Sequence, residues 1–514
     1  MFLFLQTGKA LNRKLLFLFS AFCFFPLLLS AQLDPDKNCL QAYQDILDLQ
    51  FPEAQRILAI ERTGHPSNLT PVYLENYIDF LATFIKEEQP LYDQFKKDQD
   101  RRMKILGKAD QNSPFYHYYL GNMHLQFAIL KGKFGEYKSA AFEFNHAYNE
   151  FELNRKKYPG FLPDDAGLGL VHVLAAVVPE SYSWVLKLFG IKGNVQLGLS
   201  EISNVAEYAG ADESVKICRL EALFYLSFID SGIGKNAEGS LSILHNFENA
   251  EGSTSLQASP LFVFVKVSIL SRSHRNDEVL QTLESYQANP SGFRFCYLDY
   301  LTGLAKLNHL DYSADRYFIR FIKDFRGRNY IKAAYQKLAW CCFLNGESQK
   351  YEEYMKLAVT RGNAFIDADR QALHEAHGKQ SPDIFLLKAR LLYDGGYNDL
   401  ALHELLDHSV KEIVSSSRDL LEYQYRLGRI YQESGDLQKA LGYYEKTIQE
   451  GKVQPYYYAA NAALQCGLIY EGIKDFQNAG KYYRICLSLD YPEYKTSLDQ
   501  KAKAGLQRIK NELH

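Results

Sequence analysis

The chain has 514 residues, 47% hydrophobic and 23% charged, with a formal net charge of −3. This balance supports a large buried core and excludes global disorder. The mild acidity argues against nucleic acid, whose phosphates call for a basic surface.

The first element is a leader. Lys9, Arg13 and Lys14 precede an apolar run from Leu15 to Leu29, which ends at Ser30-Ala31. A basic start, a short apolar stretch and small residues at its end are the plan of a secretory signal peptide over 1–31. An uncleaved N-terminal anchor is the minority reading. Cleavage removes three basic residues and no acidic one, so the mature chain grows more acidic. Seven cysteines remain: Cys39, Cys218, Cys296, Cys341, Cys342, Cys466 and Cys486. The number is odd and no C-x-x-C pair occurs. They read as small buried hydrophobes, neither a disulfide framework nor a zinc site.

Residues 32–257 read as a divergent helical module. Ala42, Ala54, Leu58 and Pro66 carry the spacing of a helical hairpin unit that recurs more clearly downstream. Leu120-Gly121 resembles the small-residue position of a second unit, with Ala140-Ala141 as its partner on longer helices. An apolar stretch follows, Gly167-Leu-Gly-Leu-Val-His-Val-Leu-Ala-Ala-Val-Val-Pro179, then Trp184-Val-Leu-Lys-Leu-Phe-Gly190. Residues 115–250 are loosely similar to a eukaryotic tetratricopeptide family, the inclusion-body-clearance or mitochondrial outer-membrane group. That likeness implies a helical module fused to a repeat array and transfers no catalytic residue. Leu168–Val178 is too short to span a bilayer, which takes about 20 residues. It reads as a buried helix, and peripheral membrane contact stays compatible with the sequence. Gly232-Ile-Gly234-Lys235-Asn236 lacks the first glycine and the Ser/Thr of a phosphate loop, and reads as a turn.

From 258 onward the chain repeats. The clearest unit is Tyr425-x-Leu427-Gly428-x-x-Tyr431, with Gly435-Asp436, Ala440 and Tyr444 after it. It resembles the tetratricopeptide (TPR) repeat. With Gly428 as position 8, Leu, Tyr, Ala and Tyr stand at 7, 11, 20 and 24; Gln424 departs at position 4, where a large aromatic is usual. Position 8 must be small so that the second helix can approach, and the residue at 24 fills the space beside it. Ala389, Gly428 and Gly467 are 39 residues apart, and so are Ala401, Ala440 and Ala479. Ala339, Gly303 and Val267 continue the frame upstream at 36-residue steps. The gap from Ala339 to Ala389 is 50 residues, which predicts an extra helix near 366–377. The expectation is an all-α, right-handed TPR superhelical solenoid with about six repeats over 258–514. No period-two alternation predicts a sheet. The chain is most similar to exported bacterial TPR proteins.

No catalytic, cofactor or metal site is expected. His374-Glu375-Ala376-His377 spaces its histidines three apart, where a helical zinc motif needs four. No G-x-S-x-G elbow is present. Tyr456-Tyr457-Tyr458 reads as packing at a repeat junction. The resemblance implies that a partner lies along the first helices of the repeats. Its contact positions map to Trp340 and Phe343, Arg390 and Tyr393, then Arg429 and Gln432. Trp340 and Tyr393 are expected as apolar anchors, and Arg390 and Arg429 as carboxylate ligands. The lysine-and-asparagine clamp of chaperone-binding repeats is not reproduced, since Leu386 and Tyr425 stand at the lysine position. Pairing of the two arginines with Asp383 and Glu422 is the competing expectation. The function expected is an exported scaffold of the cell envelope, periplasmic or outer-membrane associated, binding protein partners. The alternative is an envelope protein holding a glycan or lipid between its halves near Trp184 and Phe189.

Overall fold

A computed structural model describes residues 31–177, 190–216, 218–230, 237–251, 256, 258–286, 289, 292–378 and 381–512. Among them the chain is all-helical, and the only β pairing is an isolated bridge between Gln32 and Asn68. The helices are α1 (Lys37–Leu47), α2 (Phe51–Gly64), α3 (Thr70–Lys86), α4 (Gln89–Leu106), α5 (Pro114–Lys133), α6 (Tyr137–Lys157), α7 (Asp164–Val177), α8 (Val195–Ala206), α9 (Glu213–Lys216), α10 (Arg219–Asp230) and α11 (Ala237–Glu251). They continue as α12 (Pro260–Arg272), α13 (Asn276–Ser285), α14 (Tyr297–Asn308), α15 (Asp315–Asp324), α16 (Ile331–Leu344), α17 (Ser348–Thr360), α18 (Asp367–His377), α19 (Ile384–Asp394) and α20 (Asn398–Leu406). The last are α21 (Val410–Ile413), α22 (Ser417–Glu433), α23 (Leu437–Gly451), α24 (Tyr458–Gly472), α25 (Phe476–Ser488) and α26 (Lys495–Glu512).

Six helical hairpins occupy the C-terminal half: α12/α13, α14/α15, α16/α17, α19/α20, α22/α23 and α24/α25. The expected extra helix is α18, between the third and fourth hairpins. The small-against-large pairing holds at atomic level. A Cβ on Gly428 would stand 2.6 Å from the Tyr444 ring, and one on Gly303 2.8 Å from the Phe318 ring. Tyr483 presses on Gly467 in the same way. The 39-residue spacing has two origins. Between Ala389 and Gly428 the short α21 lengthens the linker. Between Gly428 and Gly467 the helices themselves grow, to 17 and 15 residues.

The turns inside the hairpins are built alike. Seven residues after the small position the chain enters the left-handed region: Leu49, His274, Leu310 and Lys474 at φ 54–62°, and Gly135, Gly346, Gly396 and Gly435 at φ 77–88°. Seven of these eight turns carry the same N–H to C=O bond over five residues, as in Gln50 to Asp45 (2.7 Å), Glu347 to Cys342 (2.8 Å) and Asp475 to Tyr470 (2.9 Å). This bond satisfies a carbonyl that the ending helix leaves free. The same register runs through the N-terminal half, where α1/α2 and α5/α6 are hairpins of this type. It corrects one expectation. Gly135 places the small position of α5/α6 at Ala128, so the partner of Ala140 is Ala128 and not Gly121. Gly121 lies two turns earlier on the lengthened α5. A Cβ there would stand 2.8 Å from the Phe151 ring, whose other face is pressed by Gly167 of α7. Gly169 meets Gly198 of α8 backbone to backbone, a Cβ on Gly169 standing 2.6 Å from the Gly198 oxygen. The Gly167-x-Gly169 pair thus serves helix packing. The helix at 164–177 is buried, as its apolar stretch predicts, with Leu168, Val171 and Val173 at 0% exposure.

Two buried carboxylates tie distant helices together, Glu221 within the N-terminal module and Glu87 between the halves. Glu221 of α10 accepts hydroxyls from Tyr43 (2.6 Å), Tyr77 (2.6 Å) and Tyr225 (2.5 Å), joining α1, α3 and α10. Glu87, at the end of α3, accepts the backbone N–H groups of Arg328 (3.1 Å) and Asn329 (2.9 Å) before α16. Among the described residues no helix is long and apolar enough to cross a membrane. Residues 1–30 of the expected leader, Trp184, Phe189 and the expected turn at Gly232–Asn236 lie outside the described residues.

Candidate functional site

The first helices of the C-terminal hairpins form a wall that collects cations on Tyr and Trp rings. In α16, Trp340 is 2% exposed and its Nε1 donates to Glu375 Oε1 of α18 at 2.7 Å. Lys337, one turn earlier on the same helix, sets its ammonium 3.5 Å from the indole centroid. Burial first, then the charge of Arg390, holds the Lys337 amine down to about 7. Arg390 of α19 approaches the same indole at 4.9 Å. The side-chain oxygen of Gln371 from α18 accepts from both Nη atoms of Arg390, at 3.1 and 2.9 Å.

One hairpin on, Arg429 of α22 donates Nη2 to the Tyr393 hydroxyl at 2.8 Å and Nη1 to the Tyr425 hydroxyl at 3.0 Å. Its guanidinium also stacks over the Tyr393 ring at 5.0 Å. Such cation–ring contacts strengthen where water is excluded. Arg426 pairs with Glu422 (2.9 Å), which also accepts the Tyr458 hydroxyl at 2.5 Å. Burial alone would raise the Glu422 carboxyl, yet Arg426, the Tyr458 hydroxyl, Arg418 and Arg390 together hold it below the usual range.

The competing pairings expected from sequence are absent among the described residues. Asp383 caps α19 through the N–H groups of Phe385 and Leu386, both at 2.9 Å, and Glu422 is held by Arg426 and Tyr458. The nearest carboxylate to Arg390 is Asp394 at 3.9 Å. Among the described residues Arg418 and Arg429 have none within ion-pair distance. Lys501 of α26 also stands unpaired, and its ammonium is held below its usual value, by lost hydration first and then by the charge of Arg429.

Of the six expected contact residues, Trp340 and Arg390 meet in one cation–ring contact and Tyr393 and Arg429 in another, while Phe343 and Gln432 lie apart from them. Trp340 and Tyr393 (3% exposed) lie beneath the surface as its floor, because cations cover their rings; they are not open anchors. Arg390 and Arg429 are half-buried above them. Gln432 accepts the Tyr444 hydroxyl at 2.6 Å and donates to Gln465 of α24 at 3.4 Å, so it serves packing within its hairpin and against the next. Phe343 packs on Tyr351 at 5.4 Å, outside the cation cluster. Sequence reasoning missed Arg418, Lys337 and Lys501. Lys337 precedes Trp340 by one helical turn, a spacing that marks a shared face, whereas Lys501 comes from a helix outside the repeat frame.

The C-terminus folds back on this wall. His374 Nδ1 and Glu493 Oε1 lie 2.5 Å apart, the Gln371 amide donates to the Tyr494 hydroxyl at 3.2 Å, and the Tyr494 ring meets Tyr457 edge-on at 5.0 Å. His374 and His377 are exposed, as expected for a helix end. Tyr458 is buried and Tyr457 packs against Tyr425, so the tyrosine run serves packing. The cysteines of the described residues are free thiols, all buried except the half-buried Cys296. In the N-terminal module a cavity of about 30 Å³ lies among Cys39, Tyr43, Thr70, Tyr73, Tyr118 and Cys218. It has room for about two waters, not for a sugar or an acyl chain. No family model matches the chain, and no curated protein matches it.

Proposed function

We propose that this chain is an exported TPR-type scaffold of the cell envelope, and that its C-terminal wall receives a carboxylate-bearing segment of a partner protein. Six hairpins in one register, five of them with Gly or Ala facing the second helix, support the solenoid reading. The signal-peptide pattern of residues 1–31 supports export. The observation that carries the binding role is Arg429. Its guanidinium is oriented by two tyrosine hydroxyls, with no carboxylate in reach among the described residues. Lys501 adds a second cation beside it, with no carboxylate within ion-pair distance among the described residues. A fixed guanidinium is suited to paired hydrogen bonds with a carboxylate.

The test is crosslinking of the tagged protein in its own cells with mass spectrometry, beside an Arg390→Glu/Arg429→Glu variant. Because Arg429 also packs on Tyr393, Arg418→Glu serves as a second variant at a half-exposed site. Specific envelope proteins captured by the native form and lost from a variant of unchanged melting temperature support the reading. Equal capture by all three forms removes the wall from the binding role.

A further inference from the structure

The first hairpin brings four metal-ligating side chains together. Asp36 is the N-cap of α1, and Cys39 follows in its first turn. Glu61 lies in the last turn of α2 and His65 is the C-cap of that helix. An antiparallel hairpin sets the start of its first helix beside the end of its second, so both pairs fall at one end. The spacings, three residues from Asp36 to Cys39 and four from Glu61 to His65, put each pair on one helix face. Ligand atoms of Asp36, Cys39 and Glu61 lie within 4.8 Å of one another. His65 Nδ1 stands 2.9 Å from Glu61 Oε1 and 3.9 Å from Asp36 Oδ2.

Among the described residues the acidic groups of this cluster face one base, the imidazole of His65. Glu61 and Cys39 are each 1% exposed. Buried carboxylates are ordinarily paired, yet no Lys or Arg among the described residues reaches Glu61 or Asp36. The imidazole of His65 is the one ionisable base in contact with Glu61. Neutral donors surround the carboxylate: Asn38 Nδ2 reaches Oε2 at 2.9 Å and Asn68 Nδ2 reaches Oε1 at 3.1 Å. They hold Glu61 in place much as outer-sphere hydrogen bonds orient a ligating group. Asn68 is itself fixed, accepting the Asp34 N–H at 3.2 Å and donating to the Asp34 carbonyl at 2.9 Å. His65 is 63% exposed along its side chain and leaves the cluster open to solvent on that side.

We infer that Asp36, Cys39, Glu61 and His65 form a binding site for a borderline divalent cation of the zinc type, at the capping end of the first hairpin. One thiolate, one imidazole and two carboxylates make a four-donor set that suits Zn²⁺. Zinc ligands sit about 2.0–2.3 Å from the ion, so the donors must close in, which the exposed His65 side chain allows. On binding, the Cys39 S–H bond breaks, its proton leaves to solvent and an S–metal bond forms; no electron is transferred. The ion would tie the entry of α1 to the exit of α2. This inference stands independently of the partner-binding reading.

The test uses the purified full chain, stripped with a chelator and then titrated with Co²⁺ and with Zn²⁺ against a chromophoric competitor. The expected result is one equivalent of zinc, and a thiolate-to-cobalt charge-transfer band in the cobalt form. Cys39→Ser should abolish that band, and His65→Ala should weaken zinc binding at least tenfold. His65 is exposed, so loss of fold does not confound that variant; circular dichroism checks Cys39→Ser. Stoichiometric binding left unchanged in the Cys39→Ser/His65→Ala double variant would overturn the site. So would a native chain that takes no zinc from the competitor.

Discussion

Gly428→Ala tests the packing rule on which the hairpins rest. The added Cβ would stand 2.6 and 2.7 Å from two carbons of the Tyr444 ring. Carbon atoms pack at about 3.5–4.0 Å, so the ring must retreat by about 1 Å. It has nowhere to go. Tyr444 is fully buried, and its hydroxyl donates to Gln432 at 2.6 Å. Overpacking of this kind costs about 1–3 kcal/mol, against a helix-propensity gain of about 1 kcal/mol for Gly→Ala. A net loss of up to about 2 kcal/mol is expected. Gly442→Ala on the facing helix α23 is the control. A Cβ there meets nothing within 4 Å, so only the gain of about 0.5–1 kcal/mol remains. Urea unfolding followed by far-UV circular dichroism reads both, provided the slopes with denaturant agree. In a Tyr444→Leu background the cost of Gly428→Ala should shrink. If Gly428→Ala raised the midpoint as Gly442→Ala does, the close-approach account of the repeat would be refuted.

Two further outcomes follow from backbone and charge. Lys474 is exposed and holds φ 62°; Lys474→Gly should stabilise the chain by about 1 kcal/mol in the same unfolding assay, since a side chain is costly in that region. Asp164 is 1% exposed, and burial pushes its carboxyl up to about 8 despite the Asn154 amide at 2.8 Å. The folded chain therefore keeps a proton that the unfolded chain releases near the ordinary aspartate value of 3.8. Its contribution to stability is full below that lower value and is lost as pH rises towards the upper one. Asp164→Asn, which cannot titrate, should flatten the fall of the urea midpoint over that window; an unchanged slope would remove Asp164 as its source.

The sequence made the repeat frame legible wherever the close approach demands a small residue, because Gly428, Gly467 and Gly303 have few substitutes there. The extra helix α18 was legible as surplus length. The turns were harder to read. Leu49, His274, Leu310 and Lys474 occupy the left-handed position that glycine usually marks, so a search for glycine passes over half of them. The register of α5/α6 was misplaced for a related reason: Gly121 serves Phe151 and Gly167, a contact with a helix outside its own hairpin. The wall was legible as positions but not as roles. Arg429 finds its hydroxyl partners on Tyr425, four residues before, and on Tyr393, 36 residues before. Only the stacking of neighbouring hairpins makes the second of these adjacent. The Asp36–His65 cluster was invisible as a motif, since its ligands are split between two helices.

The contact of Glu493 and Tyr494 with α18 has a kinetic consequence. His374, Gln371 and Tyr494 form a latch across the wall, and Arg390 lies behind it. A partner seeking Arg390 would have to wait for the latch to part, whereas one content with Arg418 or Lys501 would not. Association with the first kind of partner should level off as partner concentration rises, at the rate of latch opening. Cutting the His374–Glu493 contact with His374→Ala should lift that ceiling while the departure rate of the bound segment stays the same.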